Sequence, residues 1–214
     1  MAPRRITTIV FDIGNVLLEW DPRHLYRQLI GDPDQLTHFL TNICTPAWHL
    51  AHDLGADIER SCRDLARQHP GHAELIMAWA DRGEEMVPGP IEGSVRLLDE
   101  LRAAGLRRLA LSNMEPQRFR QRLERYPFLR SLDGHVISGF EGVAKPDRRI
   151  YEILIERFAL VPRATLFIDD NAANVAAARG IGLRAIQFRG PGRLRQHLTG
   201  LGLIPADQAE QGAA

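Results

Sequence analysis

Five side chains that could take part in catalysis directly follow stretches of apolar residues, at 6–11, 109–111 and 166–168. They are the lone carboxylate Asp12, the pair Ser112 and Asn113, and the acidic pair Asp169 and Asp170. Apolar runs that stop at polar residues are typical of buried strands. Since open α/β sheets bind ligands at the carboxyl ends of their parallel strands, we expect these groups to meet in one crevice. Asp12 taken alone could equally do no more than cap a turn.

The chemistry that such a group of side chains supports is phosphoryl transfer. Two or three neighbouring carboxylates repel one another unless a cation lies between them. Oxygen ligands with open positions suit Mg²⁺, which often takes further ligands from a substrate phosphate. The Ser112 hydroxyl and the N-terminus of a helix predicted from Asn171 both favour phosphate oxygens. With a nucleophilic carboxylate, these parts predict transfer through a covalent aspartyl intermediate.

Lys145 is the single lysine of the chain, and all other basic residues are arginine. An ammonium is a compact point charge, whereas a guanidinium is a planar fork, so the two are not interchangeable in a tight site. A lone surviving lysine could be chance, but Lys145 lies in a loop just before a predicted helix, in the segment Val-Ala-Lys-Pro-Asp. We therefore expect it at the crevice, where it would keep a nucleophilic carboxylate ionised and neutralise a transferring phosphoryl group.

Composition limits the remaining possibilities. The 214 residues can bury a proper core, and 27 basic residues balance 27 acidic ones, which argues against nucleic-acid and membrane-surface partners. There is no apolar run of membrane-spanning length, and no signal-peptide pattern precedes the first strand. Cys44 and Cys62 are too few for a disulfide framework and lack metal-ligand spacing, which predicts the cytoplasm. A small molecule is the expected partner, and the oligomeric state is left open.

The elements that position these residues alternate between strand and helix after about residue 90, with further short strands at 136–137 and 185–187. This alternation predicts a doubly wound parallel sheet with helices on both faces. The stretch from 17 to 89 has no strand pattern, and it predicts a small helical cap inserted between the first strand and the rest of an α/β core, 1–16 and 90–214. The predicted helices span 22–30, 34–42, 46–53, 57–68, 72–86, 115–125, 147–158 and 171–179, with Asp34 and Asp57 as N-caps. A further predicted helix carries the apolar stripe Leu97, Leu98 and Leu101 and is ended by Gly105.

With these residues in place, the chain resembles the haloacid dehalogenase-like hydrolase superfamily over almost its whole length. Four family motifs occur in order: FDIGNV at 11–16, LALSN at 109–113, VAKP at 143–146 and FIDDN at 167–171. The resemblance implies a Rossmann-like core and Mg²⁺ as cofactor. The most similar type is that of bacterial sugar-phosphate phosphatases, including α-glucose-1-phosphate phosphatases.

The resemblance also implies roles for individual residues. Asp12 stands in the nucleophile position, Ser112 in that of the phosphate-binding hydroxyl and Lys145 in that of the charge stabiliser. The metal ligands implied are Asp12, the Gly14 carbonyl, Asp170 and, beside it, Asp169. The residues expected to bind substrate are Ser112, Asn113, Asn15, Trp20 and Arg23.

The chain departs from the phosphatase pattern at Gly14, where most relatives carry a second Asp that acts as general acid and base. Asp21, His24 or a metal-bound water could replace it, and the sequence does not choose among them. The gap also leaves two alternatives open. One is a 2-haloacid dehalogenase, which needs no acid because halide leaves unprotonated. The other is a non-catalytic phosphate-binding protein. The intact Asp12 and Lys145 argue against the second, and the acidic pair of the last motif argues against the first.

Specificity would come from the cap. Trp20, Arg23, His24, Trp48 and His49 are the candidates for substrate contact, although Trp48 could as well be core and Arg23 a solvated helix face. His49, His52, His69 and His72 match no familiar ligand spacing, so isolated surface histidines are the default expectation. Asn174 is a candidate for a supporting role near the metal or for helix packing.

Overall fold

Five parallel strands form one sheet in the computed structural model, which describes residues 5–206. The strands are β1 (Thr8–Phe11), β2 (Arg107–Ser112), β3 (His135–Ile137), β4 (Thr165–Asp169) and β5 (Arg184–Gln187). Their order in the sheet is β3-β2-β1-β4-β5, so β1 lies in the centre between β2 and β4. Phe11 pairs with Ala110 on one side and with Ile168 on the other. The residues that follow these strands therefore meet at one edge of the sheet.

Helices cover both faces of this sheet. The helices of the core are α6 (Glu92–Ala103), α7 (Pro116–Arg125), α8 (Pro127–Arg130), α9 (Ser138–Glu141), α10 (Arg148–Phe158), α11 (Ala172–Gly180) and α12 (Pro191–Gly200). Ile9 and Phe11 pack in one apolar cluster, together with side chains of α6 and α12 such as Leu98 and Leu198. Val10 points to the other face and packs with side chains of α10 and α11. The doubly wound parallel sheet predicted from the sequence is confirmed.

The segment between β1 and α6 contains only helices in its regular structure. They are α1 (Arg23–Leu29), α2 (Pro33–His38), a π-helix (Phe39–Ile43), α3 (Pro46–Asp53), α4 (Ile58–Gln68), α5 (Ala73–Asp81) and two 3₁₀ turns (Pro70–His72 and Gly83–Met86). Their apolar side chains form a separate cluster around Tyr26, Phe39, Ile76 and Trp79. We call this segment the cap. Its predicted limits of 17–89 remain a prediction, and the predicted ends of the core at 1–4 and 207–214 lie outside the described residues.

Two chain segments join the cap to the core, and they are hydrogen-bonded to each other. The Glu19 N–H donates to the Gly89 carbonyl over 2.9 Å, and the Ile91 N–H donates to the Leu17 carbonyl over 2.9 Å. A further contact lies between α3 and α9. The hydroxyl of Ser138, at the start of α9, is fully buried and donates to the carbonyl of Asp53 at the end of α3. The Ser138 hydroxyl oxygen also accepts the Met114 N–H over 2.9 Å.

Several helices begin or end at residues other than those predicted. Asp57 caps α4 as predicted, but the N-cap of α2 is Asp32 and not Asp34, because Pro33 fits the first helical position and Asp32 then accepts two backbone N–H groups. The predicted helix 72–86 is broken at Arg82 into α5 and a 3₁₀ turn. The sequence analysis did not predict α8, α9 or α12, of which the first two are only four residues long.

Among residues 5–206, the chain has no helix with the length and apolar character needed to cross a bilayer. Cys44 and Cys62 are both buried and free of disulfides. Cys44 and Cys62 both pack in the cap cluster, where they act as small apolar side chains.

Candidate active site

Asp12 lies one residue beyond the central strand, and its carboxylate is held from several sides. One oxygen, Oδ1, accepts the Ile13 N–H over 2.7 Å and the Ser112 hydroxyl over 2.8 Å. The other, Oδ2, lies 2.8 Å from the ammonium nitrogen of Lys145. Asp12 is only 7% exposed, so this small opening is its access to a ligand. The structure thus brings together the predicted nucleophile, hydroxyl and ammonium, which come from positions 12, 112 and 145 of the chain.

Lys145 bridges two carboxylates in the interior. Its Nζ lies 2.8 Å from Asp12 Oδ2 and 2.6 Å from Asp169 Oδ2, and its side chain is 1% exposed. Burial favours the neutral amine, but the two carboxylates outweigh burial and raise the pKa of Lys145. For Asp12, burial and the nearby Asp169 raise the pKa, to about 7, against the attraction of Lys145. The ammonium is therefore what keeps two buried acids close together.

Two asparagines hold the lysine and its partner in place. Asn113 uses both atoms of its carboxamide on the main chain of Lys145: Nδ2 donates to the carbonyl over 2.9 Å, and Oδ1 accepts the N–H over 2.8 Å. Asn174 donates Nδ2 to both oxygens of Asp169, over 3.0 and 3.1 Å. Asn113 was predicted to bind substrate, and beside these two bonds to the lysine loop it keeps one amide hydrogen for a ligand. Asn174 was predicted either to support the metal site or to pack its helix, and its bonds to Asp169 fit the first of these roles.

A group of carboxylates suited to a cation lies beside Asp12. One oxygen each of Asp12, Asp169 and Asp170 lies within 4.8 Å of the others. Asp169 is completely buried and already accepts from Lys145, Asn174 and the Asn171 N–H, so it has little capacity left for a metal. Asp170 is half-buried and faces the cavity, and burial together with Asp169 raises its pKa. A cation would thus bind Asp12 and Asp170, while Asp169 holds Lys145 beside Asp12.

A cavity of about 250 Å³ opens above these residues, between the core and the cap. The predicted site residues Gly14, Asn15, Trp20, Ser112 and Asn113 all line it. Asn15 has a left-handed backbone (φ 54°) and accepts the Trp20 N–H over 3.0 Å, which fixes the entry into the cap. The carboxamide of Asn15 also bonds to Asp170.

Arg23 and His24 do not reach this cavity. The Arg23 side chain is 41% exposed and lies 3.7 Å from Asp21, so the prediction that it contacts substrate is not supported. Trp48 packs edge-on against Trp79 inside the cap, at 5.2 Å between ring centroids. His49 does line the cavity, stacked on Trp20 at 5.0 Å. The expectation of a surface histidine is wrong for His52, which is 1% exposed.

Five polar residues that line the cavity were not predicted as site residues: His52, Asp53, Glu115, Arg118 and Arg122. The first two end helix α3 of the cap, and the two arginines lie on α7 of the core. A signal was present for Arg122, because it follows Phe119 at the i, i+3 spacing of a buried helix face. For His52 and Asp53 no comparable signal exists, since their position depends on how the cap lies over the core.

Burial dominates the ionisation of these cap residues. It raises the pKa of Asp53 to about 7, although Lys145 and Arg122 oppose the shift. Burial lowers the pKa of His49 to about 4, and the neighbouring His52, Arg122 and Arg118 add to this effect. The pKa of His52 is also lowered to about 4, by burial and by Arg118. At neutral pH both imidazoles are therefore uncharged, and Asp53 lies near the midpoint of its titration.

Comparison with known proteins places the chain in a family. The family model described as haloacid dehalogenase-like hydrolase matches residues 6–182. The chain belongs to this family of hydrolases, and the resemblance to the superfamily seen in the sequence is confirmed.

Individual relatives are more distant. The chain is 26% identical over 174 residues to the sesquiterpene phosphatase astK of Aspergillus oryzae, a match that covers 81% of this chain and 85% of the relative. A HAD-like hydrolase structure from Porphyromonas gingivalis superposes with a TM-score of 0.72 at 24% identity, covering 92% of this chain and 98% of the other. The HAD family enzyme bt-2542 of Bacteroides thetaiotaomicron, solved with magnesium and inorganic phosphate, gives a TM-score of 0.63 at 18% identity, over 97% and 99%. At these identities the structural likeness establishes the fold.

Proposed function

We propose that this chain is a cytoplasmic, Mg²⁺-dependent phosphatase that hydrolyses a small phosphorylated metabolite, such as a sugar phosphate, through an aspartyl-phosphate intermediate on Asp12. The observation that carries the proposal is the triad of Asp12, Lys145 and Ser112, with Asp170 beside it. The phosphatase among the relatives, and the neighbour solved with magnesium and phosphate, support the same chemistry. The two free cysteines support the cytoplasm.

In the proposed first step, an oxygen of Asp12 attacks phosphorus and the bond from phosphorus to the alcohol oxygen breaks. Ile13 N–H and Ser112 fix one oxygen of the nucleophile. Lys145 favours the ionised form of the carboxylate and faces the negative charge of the transferring group. In the second step water attacks the phosphorus of the aspartyl phosphate, which releases phosphate and restores Asp12.

The residues present fit a magnesium ion. Asp12 and Asp170 supply two carboxylates with capacity to spare, and the main chain at Gly14 lines the same cavity. This is an all-oxygen donor set that leaves room for water and substrate phosphate, as Mg²⁺ prefers. When bound, the ion would neutralise phosphate charge during the transfer. Asp169 stays on Lys145 and Asn174.

Asp53 is the group best placed to protonate the leaving alcohol. Gly14 offers no acid, whereas Asp53 lines the same cavity from the cap with a side chain that is 14% exposed. The charged and titratable groups around it are His49, whose Nε2 lies 3.9 Å away, Lys145 and Arg122. Asp53 also ends α3, where the helix dipole disfavours a negative charge. Asp53 thus takes the role for which Asp21, His24 or a metal-bound water were the candidates in the sequence.

The main alternative is a 2-haloacid dehalogenase, and the absence of an acid at Gly14 was the feature that favoured it. A carboxyl group in the cavity weakens this argument, because the protein has an acid after all. The acidic Asp170 would also repel an anionic haloacid in the absence of a cation.

The test pairs two assays on one preparation. Phosphate release from p-nitrophenyl phosphate and from a sugar 1-phosphate is measured with Mg²⁺ and with EDTA, and halide release from 2-chloropropionate is measured in parallel. Asp12→Asn is the control in both. We expect Mg²⁺-dependent phosphate release that EDTA and the substitution abolish. Halide release that EDTA does not affect would establish the dehalogenase, and silence in both assays would favour the non-catalytic binding protein.

A further inference from the structure

Arg122 is a buried cation without a matching anion. It lies on α7, lines the cavity and is 5% exposed. Among residues 5–206, no carboxylate oxygen lies within 4 Å of its guanidinium nitrogens. Its Nη1 contacts only the thioether sulfur of Met114, at 3.3 Å, and its Nε has no hydrogen-bond partner. A sulfur is a weak acceptor, so Arg122 has no close ion pair and is attracted only by the more distant Glu84 and Asp53.

The nearest acids are committed elsewhere or neutralised. Glu84 lies 3.4 Å from Arg118 and 3.7 Å from Arg125, so its close ion pairs are with two other guanidinium groups, and it attracts Arg122 only from beyond 4 Å. The burial of Asp53 raises its pKa to about 7, so this carboxyl carries only part of a charge at neutral pH. Burying an unpaired charge costs several kcal/mol even after the protein relaxes. Such a cost is tolerated at sites where a ligand supplies the missing partner.

His52 is a second buried polar side chain that has unsatisfied hydrogen-bonding atoms. It is 1% exposed, lines the cavity, and neither ring nitrogen has a hydrogen-bond partner. Its neutral ring packs edge-on against Trp48, with 4.4 Å between centroids. Two unpartnered polar side chains, each more than nine-tenths buried, therefore line the same cavity as Asp12.

We infer that this cavity contains an anion subsite, in which Arg122 and His52 bind a second acidic group of the substrate, a carboxylate or a second phosphate. The inference rests on the proposed phosphatase activity and narrows its substrate class to phosphate esters that carry another anion. The ester phosphate lies at Asp12 and Lys145, and the second anion lies toward α7 and the end of α3. Arg122 supplies the charge and His52 supplies one N–H donor.

The test is a binding measurement that does not depend on turnover. Two matched pairs of ligands are titrated by calorimetry, with Mg²⁺, into protein carrying Asp12→Asn. The pairs are 2-phosphoglycolate with 2-hydroxyethyl phosphate, and 3-phosphoglycerate with glycerol 3-phosphate. Within each pair, the first ligand has a carboxylate where the second has a neutral hydroxymethyl group. The carboxylate is farther from the phosphate in the second pair than in the first. We expect at least one carboxylate-bearing ligand to bind at least about ten-fold more tightly than its neutral counterpart.

The preference should disappear when Arg122→Gln is added and persist with Arg125→Gln, a matched control on the same helix. Arg125 is exposed and does not line the cavity. Arg122→Lys, which retains the charge, should keep part of the preference. Because Arg122→Gln removes a buried charge that has no close ion pair, its melting temperature should equal or exceed that of the parent protein.

Three results would overturn the inference. They are equal binding within both pairs, a preference that survives Arg122→Gln, and a clear fall in melting temperature with Arg122→Gln, which would indicate that the arginine has a structural partner. If neither member of either pair binds, the subsite is also refuted, because Arg122 then binds no anion. The proposed phosphatase activity is judged separately, from phosphate release by the unmodified chain from p-nitrophenyl phosphate.

Discussion

Gly14 and Asp53 together describe how this chain differs from relatives that carry an acid two residues after the nucleophile. A Cβ added to Gly14 would meet no atom within 4 Å, and the backbone there is not left-handed. A Cβ would therefore fit, so neither a close contact at this atom nor the backbone conformation requires glycine here. The proposed replacement, Asp53, comes from the cap and not from the nucleophile loop.

Asp53→Asn should therefore separate substrates by their leaving group. An alkyl phosphate such as glycerol phosphate needs a proton on its departing oxygen, and general acid catalysis contributes about 10²–10⁴-fold. We expect a loss of kcat/KM in that range for glycerol phosphate, and a loss of less than about ten-fold for p-nitrophenyl phosphate, whose phenolate leaves unprotonated. Asp57→Asn, at the exposed N-cap of α4, is the control. Equal losses for both esters would refute the acid role.

Gly14→Asp should restore activity to the Asp53→Asn protein. The new carboxyl would stand in the position used by most relatives, and the structure has room for it. We expect kcat/KM for glycerol phosphate to recover by at least about ten-fold. A general acid in full working position would contribute about 10²–10⁴-fold. No recovery, with phosphate binding intact, would show that an acid at residue 14 cannot reach the leaving oxygen.

Lys145→Arg should lose at least about a hundred-fold in kcat, the cost typical of removing one charge-stabilising group. The ammonium nitrogen lies between Asp12 and Asp169 at 2.8 and 2.6 Å, in a space that is 1% exposed. A planar guanidinium cannot place one nitrogen there without moving both acids. The substituted protein is compared with the parent in p-nitrophenyl phosphate hydrolysis. Full turnover would show that the site needs no compact cation.

At the scale of elements, the contact between α3 and α9 decides where the cap acid lies. Ser138 on α9 binds the carbonyl of Asp53, and the neighbouring chain is closely packed. A Cβ on Gly55 would come within 2.8 Å of the Gly139 carbonyl oxygen, and a Cβ on Gly139 within 2.5 Å of Pro116. Gly55 thus allows the end of α3 to approach α9, and Gly139 allows α9 to approach Pro116. Arg118 of α7 adds further contacts to the cap, through the carbonyls of Trp79 and Ala80.

Ser138→Ala should lower the free energy of unfolding by about 1–3 kcal/mol, because it leaves the buried Met114 N–H and the Asp53 carbonyl without their partner. Ser94→Ala is the matched control: Ser94 is equally buried, but its hydroxyl has no partner, so this change should be neutral or stabilising. Urea unfolding of the two proteins measures the difference. Equal stabilities would mean that the hydrogen bonds of Ser138 contribute nothing.

At the scale of the whole molecule, the buried carboxyl of Asp53 should make stability depend on pH. Its pKa is about 7 in the folded protein and near 3.8 in the unfolded chain, so the folded state binds the proton more tightly. Stability from this group is complete below about pH 4 and is lost as the pH rises to about 7. Each pKa unit corresponds to about 1.36 kcal/mol, and partial exposure reduces the total to about 1–4 kcal/mol.

Asp53→Asn removes this dependence, so its stability relative to the parent should rise by that amount between pH 4 and pH 8. Denaturant unfolding at the two pH values gives the comparison, and Asp57→Asn again serves as the control. A difference between parent and variant that stays constant over this range would show that the pKa of Asp53 is unperturbed in the folded protein.

The sequence by itself determined the parallel sheet, the order of its motifs and most of the residues around Asp12. Strands that end in polar residues meet at one sheet edge whatever surrounds them, and so Ser112, Asp170 and Lys145 could be placed at the crevice from their positions in the chain. These placements follow from local pattern and from the geometry of parallel strands.

Only the tertiary structure decided which cap residues face the crevice and which groups remain available to a ligand. Arg23 and His24 follow β1 closely in the sequence yet do not line the cavity, whereas His52 and Asp53 line it. The hydrogen bonds of each polar group could not be read from the sequence either: Asn113 binds the backbone of Lys145 with both its amide nitrogen and its oxygen, while the Nε of Arg122 has no hydrogen-bond partner. The physical reason is that burial and hydrogen bonding depend on contacts between distant segments, which no local pattern encodes.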